Sequence, residues 1–383
     1  MKYFDHAAST PPHPEVIRTI AEVMQAHYGN PSSLHASGEA GFKLLKKARE
    51  VCAGTLGVQP SEIVFTSGAT ESNNMAIKGA ALQYRSRGKH LVTSMIEHPS
   101  VYESFRQLEG FGFEVAFVPV QTNGTVDIET VMRTVREDTV LVSIMHVNNE
   151  TGSIQPVAEI ARELKQKYPR VLVHVDGVQG FGKVPLQLKD SGIDLYSLSA
   201  HKFRGPRGAG LLYVRKGIQL FPLLSGGGQE SGVRSGTENV PAVVGMAKAL
   251  RLAKEQEAEH VRNWRKVRER LVEGIASLPE LELNSPAEGA PHIVHFSFPG
   301  MKPEVVLHCL EEEGLEVSTK SACSSKTSEP SRVLLAMGKS METAQSGIRI
   351  SLGDEHTSED ADLLIEALTK AVKRLSGLKG GLK

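Results

Sequence analysis

Between about residue 60 and residue 215 the chain alternates short, β-rich apolar runs with stretches of helical periodicity, and this alternation leaves few folds open. The strand candidates are Glu62–Ser67, His90–Ser94, Glu114–Val120, Thr139–His146, Val171–Asp176, Asp194–Ser199 and Gly210–Val214; Ser72–Arg87 and Val157–Lys167 read as helices between them. Such a pattern predicts an α/β fold, a mostly parallel seven-stranded sheet buried between helices. Ligands in these sheets gather where the carboxyl ends of the strands emerge. That rule places chemistry just after Thr66, Ser94, His146, Asp176 and Ser199, and each of these places is unusually polar.

At 383 residues the chain exceeds what one core usually fills. After about residue 255 a charged helical stretch, "EQEAEHVRNWRKVRERLVEGIASL", leads into a different pattern. Strands near His292–Phe298 and "GIRISL" alternate there with helices over Lys302–Glu313 and Ser358–Leu375. The expected division is a large α/β domain, residues 14–257, and a smaller α+β domain, residues 1–13 with 258–383. Lys plus Arg and Asp plus Glu both number 44, so no global field favours nucleic acid, and there is no basic stripe. No apolar run approaches the roughly 20 residues of a membrane span, and the amino terminus lacks a secretory h-region. Three cysteines argue against a disulfide framework and for a reducing, cytoplasmic setting.

Lysine is a poor residue to bury unless paired or covalently committed, yet "SLSAHKFRGPRGAG" sets Lys202 where an apolar strand runs out into a glycine-rich turn. Asp176 ends a strand one crossover earlier, with Gln179 three residues on. An acid paired with a Schiff-base lysine is what pyridoxal phosphate requires, the acid keeping the ring nitrogen protonated. Ser199 and His201 then become phosphate or ring contacts, and the glycines beyond Lys202 let the backbone turn away. In "TSGATESNN" small residues and Thr70 open a helix, either as an ordinary N-terminus or as an anion site. "GVQGFGK" lacks the spacing of a dinucleotide loop, which excludes a nicotinamide site. His98 in "EHPS" can stack on a flat ring or move protons, and Asn149 follows another strand. "GGGQESGVRSGTEN" offers Arg234, Ser235 and Thr237 to a phosphate. Cys52 and Cys309 sit in amphipathic helical patterns as small core residues, whereas Cys323 lies in the polar run "STKSACSSKTSEPS", where a reactive thiol can move. No metal-ligand pattern emerges.

Taken together, "FDHAASTPP", "GNPSSLH", "TSGATESNN", "EHPSV", "VNNETG", "HVDGVQ", "SLSAHKFRGPRGAG", "VRSGTEN", "SACSS" before "EPS", and "GIRISLG" resemble, nearly end to end, the NifS/IscS-like cysteine desulfurases of group I. These are pyridoxal-phosphate enzymes of the aminotransferase superfamily, fold type I. The resemblance implies that Lys202 is the Schiff-base lysine and Asp176 the partner of the ring nitrogen. Gln179 would bond the ring hydroxyl and His98 would stack on the ring. Ala69, Thr70, Ser199 and His201 would hold the phosphate, joined by Thr237 from the second subunit of a homodimer. Asn149 and Arg349 would bind the substrate carboxylate, and Cys323 would take sulfur from L-cysteine as a persulfide and pass it to a protein acceptor, an iron–sulfur scaffold, a carrier or a tRNA thiolation enzyme. Selenocysteine lyase shares the fold and cofactor; a non-enzymatic sulfur-relay subunit is the reading from another class, which intact Lys202, Asp176 and Cys323 oppose. Two positions depart from the family pattern, Lys320 for the usual Gly and Ser231 for a common Arg.

Overall fold

A computed structural model describes residues 1–319 and 329–380. Seven strands form one sheet in the spatial order Ile63–Thr66, Gly210–Val214, Leu195–Ser199, Leu172–Asp176, Thr139–Ser143, His90–Ser94 and Glu114–Val118. Gly210–Val214 runs antiparallel to both its neighbours and the other pairings are parallel. The carboxyl ends at Thr66, Ser94, Ser143, Asp176 and Ser199 therefore share one edge. Both faces are apolar because both are covered. Met75, Ile77, Ala80, Phe105 and Leu108, from the helices Ala69–Gln83 and Pro99–Glu109, fill one side. The other side packs against the helices Pro14–Ala26, Ala36–Leu56, Val157–Lys167 and Val240–Glu255.

The boundaries differ from the sequence expectation in two places that matter. Thr139–Ser143 ends three residues early, although Ile144 and His146 still donate their N–H groups to His174 and Asp176 (3.1 and 2.9 Å). The helix expected from Ser72 begins at Ala69, so Thr70 lies in its first turn; its N-cap, Gly68, supplies no side-chain cap.

A second core gathers around a smaller antiparallel sheet in which Ile293–Ser297 lies between Gly347–Ser351 and Glu282–Leu283. Trp264, Val267, Leu271 and Ile275 of the helix Glu257–Ala276 and Leu364, Leu368 and Val372 of the helix Ser358–Gly380 close it. The amino-terminal segment joins the two sheets. Lys2–Tyr3 pairs with Leu315–Glu316, and further on the Thr10 and His13 N–H groups donate to the carbonyls of His201 and Arg204 (both 2.9 Å). Among the described residues no helix is long and apolar enough to cross a membrane.

Candidate active site

The strand ends and the amino-terminal segment enclose a cavity of about 650 Å³. Of the residues singled out in the sequence, Ala69, Thr70, His98, Asn149, Asp176, Gln179, Ser199, His201, Lys202 and Arg349 all line it. Thr237 does not, being exposed on the glycine-rich segment. Cys323 and the departure at Lys320 lie outside the described residues.

Lys202 sits in the single turn Ala200–Lys202 that follows Ser199. Its Nζ donates to the Ala7 and Ala8 carbonyls (2.6 and 2.8 Å), so the amino-terminal segment presents the amine to the cavity. The backbone turns away first at Arg204, a non-glycine residue at φ 63°, and only then at Gly208. Arg204 thus adds to the turn that the sequence assigned to the glycines beyond Lys202. A left-handed residue of this kind costs about 1–2 kcal/mol, and the Thr10 hydroxyl, which accepts the Arg204 N–H (2.8 Å), and the Arg204–Asp354 ion pair (2.9 Å) hold it there.

Asp176 is buried at its strand end, where Oδ1 accepts the Val178 N–H (3.0 Å) and Oδ2 the Asn73 amide (2.8 Å). Burial raises its pKa against these two bonds and the charge of Lys202. Gln179 donates to the same Ala7 carbonyl as Lys202 (2.8 Å). His98 caps the helix Pro99–Glu109, its Nδ1 accepting the Ser100 N–H (3.1 Å). Burial and the nearby charge of Lys202 lower the His98 pKa to about 4, and that of His201 likewise to about 4. Both rings are therefore neutral at pH 7.

Gly210 lets the phosphate-type corner close. A Cβ there would lie 2.5 Å from Gly68 Cα and 2.6 Å from Thr66 Oγ1, so only glycine allows the Thr66–Gly68 turn to settle onto the sheet. The first turn of the helix Ala69–Gln83 then faces the cavity without a side-chain cap, open to an anion. Arg234 is otherwise engaged, its Nε donating to Glu71 (2.7 Å). Ser231, the second departure, is exposed at φ 57° beside Glu230 at φ 47°. Glu230 anchors that strained pair through Arg49 (2.6 and 2.9 Å) and the Phe65 N–H (2.9 Å).

Arg349 reaches the cavity from the smaller sheet and is 1% exposed. Nη1 donates to the Asn149 carbonyl (2.8 Å), Nη2 to Asp5 (2.7 Å), and the buried Nε has no hydrogen-bond partner. A guanidinium with a buried donor to spare is fitted to a planar carboxylate. Asp5, Tyr3, Asn73 and the Ala7 and Ala8 carbonyls are parts of the site that sequence reasoning missed. "FDHAASTPP" was a motif without a role because its contacts join residues 195 positions apart at Ala7–Lys202 and 344 apart at Asp5–Arg349.

Among the described residues, His6, Glu355 and His356 come close enough to share a metal ion. His356 Nδ1, however, accepts the Gly353 N–H (2.8 Å), which leaves the proton of the neutral ring on Nε2, and a protonated nitrogen is not a ligand. Cys52 is buried and its thiol pushed up to about 12, whereas Cys309 is only partly buried, less a core residue than its pattern implies.

A buried carboxylate and a lysine amine facing one cavity, an open helix N-terminus beside them and an arginine opposite fit pyridoxal phosphate. The fold and site together are those of a pyridoxal-phosphate enzyme of fold type I. Residues 2–364 match the family model for aminotransferase class-V. Cysteine desulfurase IscS of Methanosarcina thermophila is 43% identical over 98% of this chain and 93% of its own. A solved NifS-like protein superposes with a TM-score of 0.91 at 41% identity, covering 97% of this chain and 99% of that one. SspA, solved in complex with cysteine, gives a TM-score of 0.81 at 37% identity, over 92% of this chain and 99% of its own. The chain belongs to the aminotransferase class-V family and, within it, to the NifS/IscS-like cysteine desulfurases.

Proposed function

We propose that this chain is a pyridoxal-phosphate-dependent cysteine desulfurase that converts L-cysteine to L-alanine and moves the sulfur to Cys323. The observation that carries this reading is the convergence of Lys202, Asp176 and Arg349 on one cavity. When bound, pyridoxal phosphate supplies an aldehyde and an electron-withdrawing ring that weakens bonds at the substrate α-carbon. Asp176 would hold the ring nitrogen, Gln179 the ring hydroxyl, and neutral His98 would serve as the ring contact. Ala69, Thr70, Ser199 and His201 would receive the phosphate, joined by Thr237 of a second copy. Arg349, beside Asn149, takes the substrate carboxylate. Lys202 then removes and returns the α-proton. The Cys323 thiolate attacks the substrate sulfur: its S–S bond forms as the substrate C–S bond breaks, and the released electron pair takes up a proton at carbon to give alanine. The persulfide passes to a protein acceptor in a reducing, cytoplasmic compartment.

The test is L-cysteine supplied to the cofactor-loaded protein, with alanine and transferable sulfur expected in equal amounts. Cofactor loading without alanine would overturn the reading. Arg349→Leu should raise KM for cysteine about 10- to 100-fold, the loss of a charge-assisted contact, with cofactor absorbance unchanged. An unaltered KM would remove Arg349 from the carboxylate site.

A homodimer is part of the proposal. Tyr28 is 84% and Leu34 103% exposed, and Phe42 shares a surface cavity with Glu230 and Ser231, on the segment that carries Thr237. This apolar surface supports burial against a second copy. Sedimentation should show a dimer; an active monomer would refute it. The division into residues 14–257 and residues 1–13 with 258–383 is proposed likewise, supported by the separate hydrophobic cores.

A further inference from the structure

Asn73 is fully buried in the helix Ala69–Gln83, and its amide joins three elements of the site. Nδ2 donates to Asp176 Oδ2 (2.8 Å) and to Ser100 Oγ (2.9 Å). Ser100 Oγ in turn lies 2.8 Å from His98 Nδ1. Both amide protons of Asn73 are thus committed, while its Oδ1 is buried with no hydrogen-bond partner. Such an orphan is unfavourable. Turning the amide over would instead set Oδ1 against Asp176 Oδ2, oxygen to oxygen, which a carboxylate acceptor cannot tolerate. With Asp176 as a carboxylate, the orientation that sets the amide N–H against Oδ2 is the one the pair favours.

We propose that Asn73 is a positioning residue that holds Asp176 as an aimed, ionised carboxylate and ties it, through Ser100, to the ring of His98. The proposal rests on the reading of Asp176 as the ring-nitrogen partner and extends it to a side chain that touches neither substrate nor cofactor.

The surroundings make such a donor necessary. Lys202 faces Asp176 from the Ala200–Lys202 turn, Glu97 and His98 from the segment before Pro99, and Tyr196 from the adjacent strand. Burial pushes the Glu97 pKa up to about 8, raises that of Tyr196 and lowers that of His98 to about 4, so these three are neutral near pH 7. Of these neighbours, Lys202 alone supplies a charge, and its amine is the group that must change partners during turnover. Asn73 and the Val178 N–H are the fixed donors that oppose the rise burial imposes on the Asp176 pKa.

Asn73→Leu keeps roughly the same volume without the donor. Removing a bond that favours the charged form moves Asp176 protonation to higher pH, by about one to two units. The acid limb of the activity profile shifts the same way. Near neutral pH kcat should fall about 10- to 100-fold, with KM for cysteine changed less than about threefold. Infrared titration of ¹³C-Asp-labelled full-length protein, taken as a difference against the same protein carrying Asp176→Asn, reads Asp176 with or without cofactor, and so separates this proposal from the desulfurase reading. Ser100→Ala, which leaves the Asn73–Asp176 bond in place, should not move that titration. Should Asn73→Leu not fold, Asn73→Asp, of the same shape, makes the same test: its two carboxyls then share a proton and titrate together at higher pH. An Asp176 titration equal to wild type in a folded Asn73 variant would overturn the proposal, even if activity fell, since lost activity alone would reflect packing.

Discussion

Lys202→Ala is expected to reduce turnover by about 10⁴-fold or more while leaving the fold intact. Lys202 is half-buried, on a turn held by backbone bonds such as Phe203 N–H and Gly205 N–H to the Ala200 carbonyl (3.1 and 2.8 Å), and its side chain carries none of the core. No other lysine among the described residues lines the cavity. Lys183 approaches the same turn from behind, where its Nζ donates to the Lys202 carbonyl (3.0 Å) and burial lowers its pKa to about 8. Its amine is bound to that carbonyl and does not line the cavity, so it should not substitute. Lys202→Arg should fail almost as completely, because a guanidinium retains the charge near Ala7 and Ala8 but never becomes a neutral amine at working pH. Borohydride reduction followed by peptide mapping should place the cofactor on the Lys202 peptide alone. A reduced adduct elsewhere, or an alanine variant keeping more than about a hundredth of wild-type turnover, would end the assignment.

What the sequence made legible was whatever periodicity or a local motif can carry. His90–Ser94, Gly210–Val214 and Val157–Lys167 fall where their alternation and amphipathicity put them. The strand-end rule and the family resemblance together named ten residues that line one cavity, Arg349 reaching it from the smaller sheet. The antiparallel direction of Gly210–Val214 was not legible, since an apolar run of five residues reads alike in either direction. The opening of a helix in "TSGATESNN" was legible, but its first residue was placed at Ser72 and not Ala69, because Gly68 offers no capping side chain to mark the start. Asp5 and the Ala7 and Ala8 carbonyls were hidden for a different reason: they reach Lys202 and Arg349 only through long-range closure. Asn73 was masked by its neighbour. "NN" offers two alike residues, and only the helical phase buries Asn73 while leaving the Asn74 amide exposed to bond the Thr70 carbonyl (2.8 Å).

Cys323→Ser is expected to separate the two halves of the reaction. The proposed sulfur transfer balances without an outside oxidant, because the Cys323 thiol would be oxidised to a persulfide as the substrate carbon is reduced to the methyl group of alanine. Serine offers a hard, protonated oxygen that neither attacks sulfur at neutral pH nor stores it. The variant should load cofactor, bind L-cysteine with the wild-type spectral change, and release no alanine, a loss of about 10³-fold or more. Cys52 cannot take over. It is fully buried, and a thiol pushed up to about 12 supplies almost no thiolate at pH 7. Cys309 lies partly exposed on the helix Pro303–Glu312, packed against the second core and absent from the cavity lining, so Cys309→Ser should retain turnover. Mass spectrometry after one turnover should find the added sulfur, about 32 Da on the oxidation ladder of the thiol, on the Cys323 peptide. An adduct on Cys52 or Cys309, or alanine released by Cys323→Ser at the wild-type rate, would show that sulfur leaves the site by another route.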